Sequence, residues 1–123
     1  ILAEHHDYLR DIAAQTLRLA GYEVVTAKDG YELIEASRRH RGSVRLLVCE
    51  ENLRGRTGLE CLHDLRAAGE AAPAIVITDG VEERHEGIAD RRTASIGKPF
   101  KTSDLLRLAR TLVQEAAGLT GSP

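Results

Sequence analysis

Short apolar runs and stretches of helical spacing alternate along this chain. The runs fall at residues 1–3, 22–27, 46–49, 74–78 and 94–96. Each is brief, rich in Val, Ile, Leu or Ala, and bounded by Gly, Pro, Asp or charged residues, which is how buried strands read. Between them the apolar positions recur every three or four residues. Leu9, Ile12, Ala13, Thr16, Leu17 and Ala20 mark a first helix, with Asp7 in position to cap it and Gly21 to stop it. Leu33, Ile34 and Ser37 mark a second, ending in a basic stretch near Gly42. Leu59, Leu62, Leu65 and Arg66 mark a third, stopped by Gly69, and residues 81–89 carry a weaker, heavily charged pattern. Thr102 or Ser103 is expected to cap a last helix through Leu105, Leu108, Ala109 and Leu112.

Five strands alternating with five helices predict an α/β domain, a doubly wound five-stranded parallel sheet of flavodoxin-like (βα)5 topology. Strands apolar on consecutive residues need helices on both faces. The expected domain is residues 1–117, with 118–123 a linker or tail. Because the chain opens on a strand-like Ile1 and holds no Met, it is expected to be a piece of a longer protein.

Composition narrows the function. At 42% apolar and 29% charged residues, the 123-residue chain has the balance of one globular domain. A formal net charge of -2 gives no global attraction to nucleic acid or an anionic membrane. One Phe, three Tyr and no Trp leave little for stacking on bases. No apolar stretch is long enough for a membrane-spanning helix, and the expected setting is cytoplasmic. Cys49 and Cys61 lie in apolar patterns and are expected to be small core residues, with no CxxC spacing for metal or redox work. His40, His63 and His85 read as surface positions.

In open parallel sheets ligands bind beyond the carboxyl ends of the strands. Those ends carry Glu4, His5 and His6 on strand one, Glu50, Glu51 and Asn52 on strand three, Thr78 and Asp79 on strand four, and Lys98-Pro99 after strand five. Together with AGYEVVTAKDG at residues 20–30, Thr57-Gly58-Leu59-Glu60 and Lys98-Pro99-Phe100, this order resembles the receiver domains of bacterial two-component response regulators, from Ile1 to about Val113. The resemblance implies a signalling module rather than an enzyme. It sets Glu50 at the phosphoacceptor position and Glu4 and His5 at the acidic pair that binds Mg²⁺. The backbone carbonyl of Asn52 falls at a third metal ligand, so Glu4, Glu50 and Asn52 form a weak or absent Mg²⁺ site. Thr78 matches the switch hydroxyl, Ser95 the switch aromatic, Lys98 the lysine that pairs with the phosphoryl group, and Pro99 a cis proline.

The departures weigh against aspartyl phosphorylation. Glu50 is one methylene longer than Asp, moving its carboxylate by roughly 1.5 Å, and phosphoryl transfer depends on positioning. Mg²⁺ calls for oxygen ligands, where His5 offers imidazole nitrogen. A serine at 95 cannot act as a rotating ring. The expectation is an atypical receiver acting by protein–protein contact without phosphorylation. No cofactor is expected beyond weakly held Mg²⁺. Expected partners are a histidine kinase, an output domain or a second copy, through the face of the fourth helix, fifth strand and fifth helix with Arg84, Arg91, Arg92, Arg107 and Arg110. Two readings of Glu50 stand: a mimic of the phosphoryl–lysine contact, or a plain ion pair with Lys98. A conventional Mg²⁺-dependent phosphoacceptor is the first alternative. A flavodoxin-like cofactor protein or enzyme is the second, although no GxGxxG or GxxxxGK[ST] occurs and Glu4-His5-His6-Asp7 has the wrong charge for a flavin phosphate loop. His5 and His6 also suggest a transition-metal site with Glu4 and Glu50, opposed by the divergence of adjacent side chains at a strand end.

Overall fold

The structure, a computed structural model, describes residues 1–80 and 92–118. The predicted helix at 81–89, with Arg84, His85 and Arg91, lies outside the described residues, as does the tail from 119 on. The described elements are β1 (Leu2–Ala3), α1 (Asp7–Leu19), β2 (Thr26–Ala27), α2 (Gly30–Arg39), β3 (Leu47–Glu50), α3 (Gly58–Ala67), β4 (Ala74–Thr78), β5 (Thr93–Gly97) and α4 (Thr102–Ala116). The strands form one parallel sheet in the order β2-β1-β3-β4-β5, so the predicted flavodoxin-like architecture is the observed one.

Side chains of a strand alternate between faces, and the core divides accordingly. Leu47 and Cys49 of β3 with Ala74 and Val76 of β4 pack under α2 and α3 against Leu33, Cys61, Leu62 and Leu65. Val48, Ile75 and Ile77 face the other way, onto Ala13, Ala14 and Leu17 of α1 and Leu105, Ala109 and Leu112 of α4. Both cysteines are free and buried, one in a strand and one in a helix.

Several boundaries differ from the sequence reading. The predicted strand at 22–27 pairs only over Thr26–Ala27, because β1 offers just Leu2 and Ala3 as its ladder partner. Asp7 does not cap α1. His6 stands at the cap position, its Nδ1 accepting from the Leu9 amide at 3.5 Å, and Asp7 is a first-turn residue paired with Arg10. In α4 the cap position belongs to Lys101, with no side-chain cap bond, and Thr102 is already helical. His40 closes α2 half-buried, while His63 is exposed. α3 starts on a capping box, Thr57 accepting from the Glu60 amide and Glu60 from the Thr57 amide.

Two close approaches fix the loops around the strand ends. A Cβ on Gly58 would stand 2.4 Å from the Glu50 carbonyl oxygen, so the first turn of α3 rests directly on the end of β3. Gly80 follows β4 with φ +86°. It lies against the Lys98 carbonyl and brings the β4 end down onto the chain leaving β5.

Candidate functional site

The parallel register brings the ends of β1, β3 and β5 to one edge, and the strand-end residues converge there. Glu4 and Glu50 are each 2% exposed, a costly place for two carboxylates unless each oxygen has a donor. Each has one. Lys98 Nζ stands between them, 3.0 Å from Glu4 Oε1 and 3.2 Å from Glu50 Oε1. Glu4 Oε2 accepts from the His6 amide at 3.1 Å. Glu50 Oε2 accepts from the His5 amide at 3.1 Å and lies 2.6 Å from His5 Nδ1. That imidazole nitrogen is also 3.5 Å from Glu4 Oε2. Solvent reaches the cluster through His5 and Lys98, whose side chains are 31% and 24% exposed.

Burial drives both carboxyls upward, but the two end at opposite positions. For Glu4, desolvation and a hydrogen bond shared with Glu50 outweigh the His6 amide and Lys98, so its pKa is raised above 4.5. For Glu50, the desolvation is outweighed by the bond from Glu4, the two contacts from His5 and the charge of Lys98, which hold it down at about 2. A proton shared by the pair therefore lies on the Glu4 side, and Glu50 is the carboxylate that stays ionised. With Glu50 ionised, the Nδ1–H of His5 is the donor. The pairing draws Lys98 upward as well: burial lowers its pKa, and the Glu4 and Glu50 carboxylates more than offset this.

These directions set opposite pH dependences. Glu50, depressed, contributes stability above pH 4.5 that is lost as pH falls toward about 2. Glu4, raised, contributes fully below pH 4.5 and loses that contribution as pH rises through its folded-state value. Glu4→Gln should therefore gain stability on the wild type as pH climbs from 4.5, whereas the deficit of Glu50→Gln should shrink as pH drops below 4.5. Chemical denaturation of the three proteins from pH 3 to 8 checks both, and parallel curves would refute the assignment.

The other candidate residues stand at the rim. Thr78 is buried, its Oγ1 accepting from the Gly80 amide at 3.4 Å and its carbonyl from the Lys98 amide at 2.9 Å. Asn52 turns its side chain away from the carboxylates to donate to Asp79 at 2.6 Å, tying the β3–α3 loop to the end of β4. Ser95 is exposed in β5 beside Val76 and takes no part in the cluster. The Lys98–Pro99 peptide is cis. His6, assigned to the helix cap, is directed away from the pocket, its ring 6.4 Å from that of His5 and nearly perpendicular to it. Sequence reasoning missed Arg10. Its guanidinium donates to the Glu4 carbonyl at 2.9 Å and pins the β1–α1 turn that delivers Glu4 and His5. A cation one turn into the helix after an acidic strand end was the available signal.

The resemblance implies Mg²⁺ in this pocket, and the donor set fits it poorly. Mg²⁺ asks for near-octahedral oxygen ligation. Here one of the three converging ligand atoms is imidazole nitrogen, and all four carboxylate oxygens are already engaged by Lys98, His5 and the His6 amide.

Comparison with known proteins agrees with the topology. The chain is 29% identical over 122 residues to the probable transcriptional regulatory protein TcrX of Mycobacterium tuberculosis, covering 98% of this chain and 51% of that protein. It is 32% identical over 108 residues to the response regulator MprA of Mycobacterium leprae, covering 86% of this chain and 46% of that one. It thus spans about half the length of the curated relatives it matches. Among solved structures, the receiver domain of the hybrid histidine kinase CckA superposes with a TM-score of 0.80 at 26% identity, covering 92% of this chain and 96% of that one. The receiver domain of NtrX from Brucella abortus gives 0.79 at 25% identity, covering 92% and 96%. Residues 1–110 match the family described as the response regulator receiver domain, and the chain belongs to that family.

Proposed function

We propose that this receiver domain is an atypical one, which signals through protein–protein contact without phosphorylation at the β3 position. The observation that carries the reading is the ion cluster itself. Lys98, which pairs with a phosphoryl group in phosphorylated relatives, is already held by Glu50 at 3.2 Å and by Glu4 at 3.0 Å. Glu50 also spends its second oxygen on His5. A phosphoryl group would have to displace Lys98 and His5 and then sit without the oxygen-ligated dication that neutralises its charge in such transfers. On this reading the longer side chain of Glu50 makes with Lys98 the contact that phosphorylation makes elsewhere.

Receiver domains are signalling modules rather than enzymes and work with histidine kinases and output domains. For this chain the proposed partner is an output domain or a second copy, in a cytoplasmic setting. The described part of the proposed contact face is β5 and α4, with Arg92, Arg107 and Arg110 exposed. Among the described residues no helix is long and apolar enough to cross a membrane.

Amide NMR of the chain with millimolar Mg²⁺, then with Mg²⁺ and beryllofluoride, tests the reading. The expected spectrum is unchanged at Glu4, Glu50, Thr78 and Lys98. Saturable shifts centred on those residues would show a working phosphoryl site and overturn it.

A further inference from the structure

The edge of the sheet opposite the Glu4–Glu50 cluster holds a second concave feature. There the C-terminal turns of α2 and α3 run beside the segments that lead into β3 and β4, and a groove of about 610 Å³ opens between them. That volume falls in the range of small-molecule sites. Its floor is aliphatic. Leu65 is buried, while Ile34 and Val44 pack on the same core cluster and still reach solvent. Wet aliphatic groups of this kind gain by meeting an apolar body.

The charges around the floor are unequally committed. Two carboxylates line the groove, and donors within the fold hold both. Asp64 takes the Arg56 guanidinium. Glu70 accepts from the Ser37 hydroxyl at 3.3 Å through one oxygen and from the Ala72 amide at 3.3 Å through the other. The guanidiniums of Arg38 and Arg41, on the α2 side, are exposed and not held in this way. Arg38 stands 3.7 Å from Glu35, a carboxylate that also faces Arg39 at 3.8 Å, and both separations are too long for hydrogen bonds. Among the described residues no carboxylate pairs with Arg41.

We propose that this groove binds a small carboxylate with an apolar body, its head taken by Arg38 and Arg41 and its body laid on Ile34, Val44 and Leu65. The guanidinium fork matches a carboxylate through two parallel hydrogen bonds. Asp64 and Glu70 on the α3 side oppose a second negative charge, which favours a monoanion over a phosphate dianion. Head and body are both needed. Exposed arginines alone are screened by salt and hold a simple anion weakly, and the aliphatic floor supplies the rest of the affinity. The site lies away from Glu50 and does not depend on how that residue is read.

NMR titration of the whole chain with octanoate at pH 7 tests the proposal. Octanoate should shift the methyl signals of Ile34, Val44 and Leu65 and the side-chain signals of Arg38 and Arg41, saturating at one ligand per chain. Octylamine, with the same body and a cationic head, should bind at least about tenfold more weakly. Acetate, with the head and no body, should do the same. The double variant Arg38→Gln, Arg41→Gln should also lose at least about tenfold, the worth of one hydrogen bond to a charged group. Both positions are exposed, and an unchanged amide spectrum away from the groove shows that the variant is folded. Arg107→Gln on α4 should leave binding as it is. No saturation, shifts centred outside the groove, equal binding of octylamine or acetate, or binding that survives the double variant would overturn the site.

Discussion

Replacing Lys98 with Met should destabilise the domain by about 3 kcal/mol at pH 7, the low end of the cost of stripping one partner from a buried ion pair. The lower figure applies because Lys98 keeps 24% of its side chain exposed, so water partly replaces the ammonium. What remains are two carboxyls, each 2% exposed, that have lost the one side-chain cation they share. Protonation is their remaining relief, so the loss should shrink as pH falls below 4.5. Glu50→Gln in the same chain removes the uncompensated charge and should recover most of the stability, a coupling that a double-mutant cycle reads directly. Urea denaturation at pH 7 and pH 4 measures each quantity. A loss under about 1 kcal/mol, or no rescue by Glu50→Gln, would mean that the cluster is a loose surface association rather than the electrostatic centre of the domain.

Gly80→Ala should cost at least about 2 kcal/mol and loosen the same cluster from the other side. Part is intrinsic, since a residue with a Cβ pays roughly 1–2 kcal/mol to sit in the left-handed region, and Gly80 has φ +86°. The rest is steric. A Cβ there would stand 2.0 Å from the Lys98 carbonyl oxygen, a backbone atom that cannot swing aside, so the turn after β4 or the chain leaving β5 must move. Either movement strains the 2.9 Å bond from the Lys98 amide to the Thr78 carbonyl and shifts the ammonium relative to Glu4 and Glu50. Thermal unfolding reads the stability, and the amide shifts of Glu50 and Lys98 read the displacement. A fold of unchanged stability would show that the turn is free to adapt.

The sheet, its parallel pairing and the two-sided core were legible in the sequence because they follow from periodicity. Strands apolar on consecutive residues and helices apolar every third or fourth residue leave few ways to bury both. Glu4, Glu50 and Lys98 could be placed at one edge for the same reason: each ends a strand, and parallel strands deliver their ends together. Local chemistry near the helix ends was less decisive. Asp7 and His6 are both able to cap α1, and only the path of the β1–α1 turn, pinned by Arg10 on the Glu4 carbonyl, selects His6.

The pairing inside the site belongs to the tertiary structure alone. His5 and His6 are neighbours of the same type, yet one ring lies against Glu50 and the other turns back to the helix, a divergence set by contacts across 45 residues of chain. Lys98 finds Glu50 across 48 residues, and whether it bridges two carboxylates or one depends on distances of a few tenths of an ångström that no spacing encodes. Ser95 shows the same division. Its strand was predictable, but its exposure beside the buried Val76, apart from the carboxylate cluster, is known only from the fold. Sequence thus determined which groups arrive at the edge of the sheet, because that is a matter of period and order. The fold decided which of them share a proton, an ammonium or a hydrogen bond, because electrostatics between buried groups is governed by distance and desolvation, and both arise only when remote segments pack together.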